Sequence, residues 1–154
     1  MFQIVKLQPG DSAAELGRLG LKIRSRGGAF HMEQPCAALK ELRCTVYDKR
    51  PTRCRLFHCQ QLRLLETNET TEAEAMSLIF KTRAQVAQVR DLIEQNGLRE
   101  DGQALLDRFE RVMSTPVDAT LEPELAEARE ALDKAMRQLR LVINREFRPP
   151  PLSK

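Results

Sequence analysis

The chain has 154 residues, 42% of them hydrophobic, 31% charged and 5% aromatic, with a formal net charge of +3. That balance suits one soluble globular domain able to bury about two-thirds of its unfolded surface, and it excludes low-complexity and fibrous classes. No run approaches the ~18 apolar residues of a membrane span, and Gln3, Lys6 and Gln8 interrupt any signal-peptide core, so the expected compartment is the cytoplasm, with no membrane partner.

Phe2 to Leu7 alternates like a strand, and Pro9-Gly10-Asp11 turns it. Ser12-Ala13-Ala14-Glu15 reads as a capping box opening a short helix that ends by Gly20. Leu21 to Arg24 and Ala29 to Met32 flank Gly27-Gly28, the pattern of a hairpin. Arg43 to Tyr47 is a further strand-like run, and Pro51 suits the first position of a helix or turn through Cys54 and Cys59.

Beyond residue 66 the pattern is helical. Asn68 is placed to cap a long helix to Gln95, closed by Asn96-Gly97, with Met76, Ile79, Phe80, Val86, Val89 and Ile93 on its apolar side. A shorter helix over about 103–113 carries Leu105, Leu106, Phe109 and Val112 before Thr115-Pro116. Glu122-Pro123-Glu124 opens the last helix, which runs to about Phe147 and stops at Pro149-Pro150-Pro151. Its Leu121, Leu125, Ala128, Leu132, Ala135, Leu139 and Val142 fall in alternating steps of four and three, a heptad seam. Short connections favour packing of that seam on the 68–95 helix; the competing reading is a protein partner or homodimer through the 121–142 face. The expected fold is α+β, a cysteine-rich module of short strands and turns over 1–66 followed by a helical hairpin over 67–154.

All four cysteines, Cys36, Cys44, Cys54 and Cys59, lie within 24 residues. Soft thiolates in so short a window point to zinc, iron or an iron–sulfur cluster. In a reducing compartment disulfides are the weaker reading. The spacing C-x7-C-x9-C-x4-C contains no C-x-x-C pair, which disfavours zinc ribbons and fingers. On a straight helix Cys54 and Cys59 would point about 140° apart, so sharing one metal requires the helix to end or distort between them. A regular helix would instead put Cys54 and His58 on one face, making His58 an alternative ligand. The competing reading is that these are small core residues. His31, near Cys36, is read as an ordinary surface or turn histidine, the lesser alternative being a ligand.

Residues 1–65 hold 12 Lys or Arg against 5 Asp or Glu, net +7, while the remainder is net −4. The basic half is the cysteine half. Nearby Arg50, Arg53 and Arg55 would offset the anionic charge of a metal held by thiolates. Arg55 is expected to bond carbonyls or thiolates, and Tyr47 and Phe57 to pack beneath the site. The same charge, with Arg24-Ser25-Arg26-Gly27-Gly28, also raises nucleic acid, but few aromatics and no recognition motif accompany it, so a nucleic-acid partner is not expected. No G-x-S-x-G, P-loop, H-E-x-x-H or G-x-G-x-x-G appears, so the chain reads as a binding protein rather than an enzyme.

The order Gln34-Pro35-Cys36, Cys44-Thr45-Val46-Tyr47, Arg50-Pro51, Cys54-Arg55, Phe57 and Cys59 resembles the second half of the YkgJ-type cysteine-cluster family, over roughly residues 2 to 65. Members are bacterial and archaeal proteins described as zinc- or iron-chelating. The resemblance implies Cys36, Cys44, Cys54 and Cys59 as metal ligands, with Tyr47, Arg50, Pro51, Arg55 and Phe57 supporting them. It also implies an upstream CxxCxxCC group, which this sequence does not contain. The expectations are therefore a start upstream of Met1 or a reduced site. In either case the sulfurs should approach one another and lie open toward the strand that begins at Phe2.

Overall fold

The computed structural model describes residues 4–99 and 102–149. It is an α+β structure, with small antiparallel sheets in the N-terminal part and helices beyond them. The chain divides into two compact units: Met1–Phe57 with Asp101–Arg108, and His58–Glu100 with Phe109–Lys154.

The first unit contains β1 (Ile4–Lys6), α1 (Ala13–Arg18), β2 (Ile23–Arg26) and β3 (Ala29–Glu33). Sheet order is β1-β3-β2, all antiparallel, with Val5 opposite Met32 and Ile23 opposite Met32 on the other side. Alternation sends Met32 inward, where it joins Leu7, Leu16, Leu21 and Ala38 in a small buried core. The β2–β3 hairpin is the expected one. Gly27 and Gly28 have φ of +59° and +72°, and Arg26 pairs with Ala29, the geometry of a two-residue loop whose twist matches its strands. The Ser12 hydroxyl accepts from the Glu15 N–H and starts α1. Of the strand expected over Phe2 to Leu7, Phe2 lies outside the described residues.

A second hairpin pairs β4 (Leu39–Lys40) with β5 (Arg43–Cys44) through Glu41 and Leu42, both at positive φ. The expected strand over Arg43 to Tyr47 is thus cut to two residues. Past Cys44 the chain turns: Lys49 N–H reaches Val46 O (3.0 Å), closing a 3-10 turn over Tyr47–Lys49. The short α2 (Thr52–Arg55) follows, with Pro51 as its N-cap, one position earlier than expected.

The second unit begins with α3 (Gln60–Glu66) and continues into α4 (Glu72–Gln95). Asn68 does not cap α4. It sits at φ +58°, where the Asn68 N–H reaches Leu65 O and the Glu69 N–H reaches Leu64 O (2.8 Å), so it terminates α3 as a left-handed cap residue. Thr71 caps α4 instead, in a reciprocal capping box with Glu74. Those hydrogen bonds hold the Glu74 carboxyl below its ordinary pKa. The far end closes as expected, with Gly97 at φ +84° and its N–H on Glu94 O.

α5 (Leu105–Ser114) contributes Phe109 and Val112 to the buried set, and α6 (Pro123–Val142) runs into one π turn over Ile143–Phe147. Asn96, at the end of α4, bonds Ala128 O and receives Arg129 Nε, so the start of α6 lies beside the end of α4 and the two are antiparallel. Leu132, Ala135 and Leu139 of the α6 seam are buried within the chain, whereas Leu121 precedes the helix and is exposed. On α4 the expected apolar side is only partly right. The buried stripe is Ala75, Thr82, Val89 and Ile93, and Met76 and Phe80 face solvent. Thr82 is hidden at low cost because its hydroxyl donates to Leu78 O at 2.8 Å.

Candidate functional site

Three of the four cysteines belong to the first unit, Cys36 in the connection between β3 and β4, Cys44 on β5 and Cys54 on α2. Cys36 follows β3, and its carbonyl accepts the Leu39 N–H at 3.0 Å, turning the chain into β4. Cys44 ends β5 opposite Leu39. Cys54 lies within α2, where its N–H is fixed on Pro51 O (2.9 Å). Cys36 and Cys54 pack against the core formed by Leu7, Leu16, Leu21, Met32 and Ala38, as does Val5 of β1. All four cysteines are free thiols of intermediate burial.

Burial, and then the nearby Cys36 and Cys44, push the Cys54 thiol up, while Arg50 pulls it the other way and Asp11 adds to the rise. The charges of Cys36 and Cys44 are thus felt at the Cys54 thiol. Cys59 is placed differently. α2 ends at Leu56, the chain becomes extended, and Cys59 forms the N-cap of α3 in the second unit. The helix does break between Cys54 and Cys59, as sharing a metal would require. The same break removes the regular turn that would have put His58 on the Cys54 face. His58 instead pairs through Nδ1 with Glu66 at 3.0 Å.

The supporting residues fall into two groups. Pro51 is buried at the start of α2. Arg50 is clamped: its Nε donates to Tyr47 O at 2.9 Å, and its guanidinium carbon lies 3.6 Å from the Tyr47 ring centroid. Arg55 Nη2 donates to Thr52 Oγ1 at 3.2 Å rather than to a thiol. Tyr47 and Phe57 do not lie beneath the cysteines; both are exposed, at 60% and 48%, because the turn after Cys44 and the end of α2 carry them outward. His31 lies in β3, with Nδ1 3.1 Å from Ala29 O, an ordinary strand histidine.

Asp11 was legible in the sequence only as a turn residue. Its Oδ1 accepts from both the N–H and the hydroxyl of Thr52 (2.9 and 2.8 Å), and its Oδ2 from the Gln8 N–H (2.8 Å). It caps α2 from 41 residues away. Burial raises its pKa, but the hydrogen bonds from Gln8 and Thr52, together with the charge of Arg55, outweigh that and hold the carboxyl below its ordinary value.

Cys36, Cys44 and Cys54 match a soft metal in donor chemistry. They do not match it in geometry as they stand: among the described residues, no group of three or more His, Cys, Asp or Glu side chains is arranged to hold a metal ion. No helix among the described residues is long and apolar enough to cross a membrane. No protein-family model, no curated protein and no solved structure matches this chain.

Proposed function

We infer that the first unit is a metal-binding module that takes zinc or iron through the thiolates of Cys36, Cys44 and Cys54. The observation that carries this reading is that three of the four free thiols, from three separate segments, belong to one compact unit. The resemblance to the YkgJ-type pattern supports it, as does the basic charge of the cysteine half. Arg50, fixed on Tyr47, would offset the negative charge of a metal held by thiolates. The role is binding rather than catalysis. A reducing cytoplasmic setting belongs to the reading, because it keeps thiols free for a metal. An iron–sulfur cluster is the form of the same idea that needs the most thiols.

A second reading has its own support. Cys36 and Cys54 pack on the core as small apolar residues do, and the thiols are not arranged as ligands. In that reading the protein is a metal-free helical interaction or structural protein with a vestigial site.

Titration of the reduced full chain with cobalt(II), the spectroscopic stand-in for zinc, separates the two. The metal reading expects thiolate-to-metal charge-transfer absorption saturating at about one equivalent and displaced by zinc. It expects Cys54→Ser to abolish stoichiometric binding. Cys59→Ser, run beside it, reports whether the thiol of the second unit takes part. Absence of saturable absorption in the parent protein would leave the metal-free reading standing.

A further inference from the structure

We propose that a cleft in the first unit, beside α2, binds a small molecule bearing a phosphate group. The cleft has a volume of about 480 Å³, within the ordinary range for small-molecule sites. Four cations line it, Arg18, Lys49, Arg50 and Arg55, against the two acids Asp11 and Glu15. Asp11, with both carboxylate oxygens held by donors from Gln8 and Thr52, also feels the charge of Arg55 and offsets part of it. Four cations against two acids leave the lining at a formal net charge of +2.

Two of the guanidinium groups are held in advance. Arg50 is fixed by the Tyr47 carbonyl and ring, and Arg55 by the Thr52 hydroxyl that Asp11 orients. Arg18 and Lys49 form no ion pair among the described residues and remain available to an incoming anion. A planar guanidinium presents paired N–H donors that match phosphate oxygens, and restraint in the free protein lowers the entropy cost of using them. Leu16, Leu19 and Pro51 give the same cleft an apolar side, so the fitting ligand carries a carbon body as well as the phosphate. The site does not depend on the thiol reading, because none of the four cysteines lines it.

The test is isothermal titration of the full reduced chain, metal-free and again with one equivalent of zinc, using phenyl phosphate, inorganic phosphate and a short single-stranded oligonucleotide as probes. The expected result is phenyl phosphate binding with Kd of about 1 mM or tighter in at least one of the two forms. Inorganic phosphate should bind about tenfold more weakly, because it cannot use the apolar side. Replacing Arg18→Gln together with Lys49→Gln should weaken phenyl phosphate by about tenfold or more, while Lys134→Gln on α6 changes nothing. Amide shifts of the unmutated protein should move at Gly10, Ser12 and Leu19, an independent check should the double variant fold poorly. No binding in either form, equal loss in the Lys134 control, or tighter binding of the oligonucleotide would overturn the proposal. The last outcome would make the cations a nucleic-acid face.

Discussion

Asp11 ties the turn after β1 to the first turn of α2, and three donors meet its single carboxylate. Removing it leaves the Thr52 N–H and hydroxyl without their acceptor. Asp11→Ala should cost the first unit about 1–2 kcal/mol, a figure kept low because the group is only partly buried. The folded-state pKa of Asp11 is depressed. Its contribution is therefore present above the unfolded carboxylate value, near ~3.9, and fades as pH falls through the folded value. Chemical denaturation from pH 6 down to pH 3 should show the parent losing this increment while Asp11→Ala shows no such loss. An equal acid sensitivity in both proteins would mean that another carboxylate is responsible. The contrast between Asp11 and the cysteines marks what a sequence can convey at this scale. Four thiols in 24 residues are conspicuous in isolation. Asp11 acquires its role only through Thr52, 41 positions away, and no local pattern announces such a partner.

At the level of elements, the helices of the second unit are held by the α4–α6 seam. Leu132 and Leu139 are fully buried on α6, and Val89 and Ile93 on α4. Gln61 on α3 adds a clamp at the other end, donating to Glu146 O at 2.7 Å. Leu132→Ala should destabilise this unit by about 2–5 kcal/mol, read as a lowered denaturant midpoint of the helical circular-dichroism signal. A loss under ~1 kcal/mol would mean that the seam is loosely packed. The α6 seam was readable because large and small apolar residues fall in a strict four-three rhythm. The matching stripe on α4 was obscured. Its first two buried positions, Ala75 and Thr82, are small or polar, while the nearby Met76 and Phe80 are large and apolar yet lie outside. The start of α4 is ambiguous in the sequence: Asn68 suits a helix beginning and a left-handed helix end equally well, and only the Thr71–Glu74 pair decides which.

For the molecule as a whole, the charge asymmetry and the change from strands to helices were both visible in the sequence. The division between units was less so. The first unit ends at Phe57 and resumes at residues 101–108, so Cys59 falls on the far side of the boundary from the other three cysteines. A metal held by Cys36, Cys44 and Cys54 should stabilise the first unit selectively, since binding free energy becomes folding free energy there. Hydrogen exchange with and without one equivalent of zinc should show added protection over residues 23–56, with residues 72–95 and 123–142 unchanged. Uniform protection of both regions, or none, would refute that localisation.

The interrupted path of the first unit also gives its assembly a schedule. During synthesis Cys36, Cys44 and Cys54 emerge well before residues 102–108, which belong to the same unit. At translation rates of about 5–20 residues per second, that interval lasts roughly three to ten seconds. For that time the nascent thiols sit in a unit whose last piece has not yet been made, with the whole of α4 emerging in between.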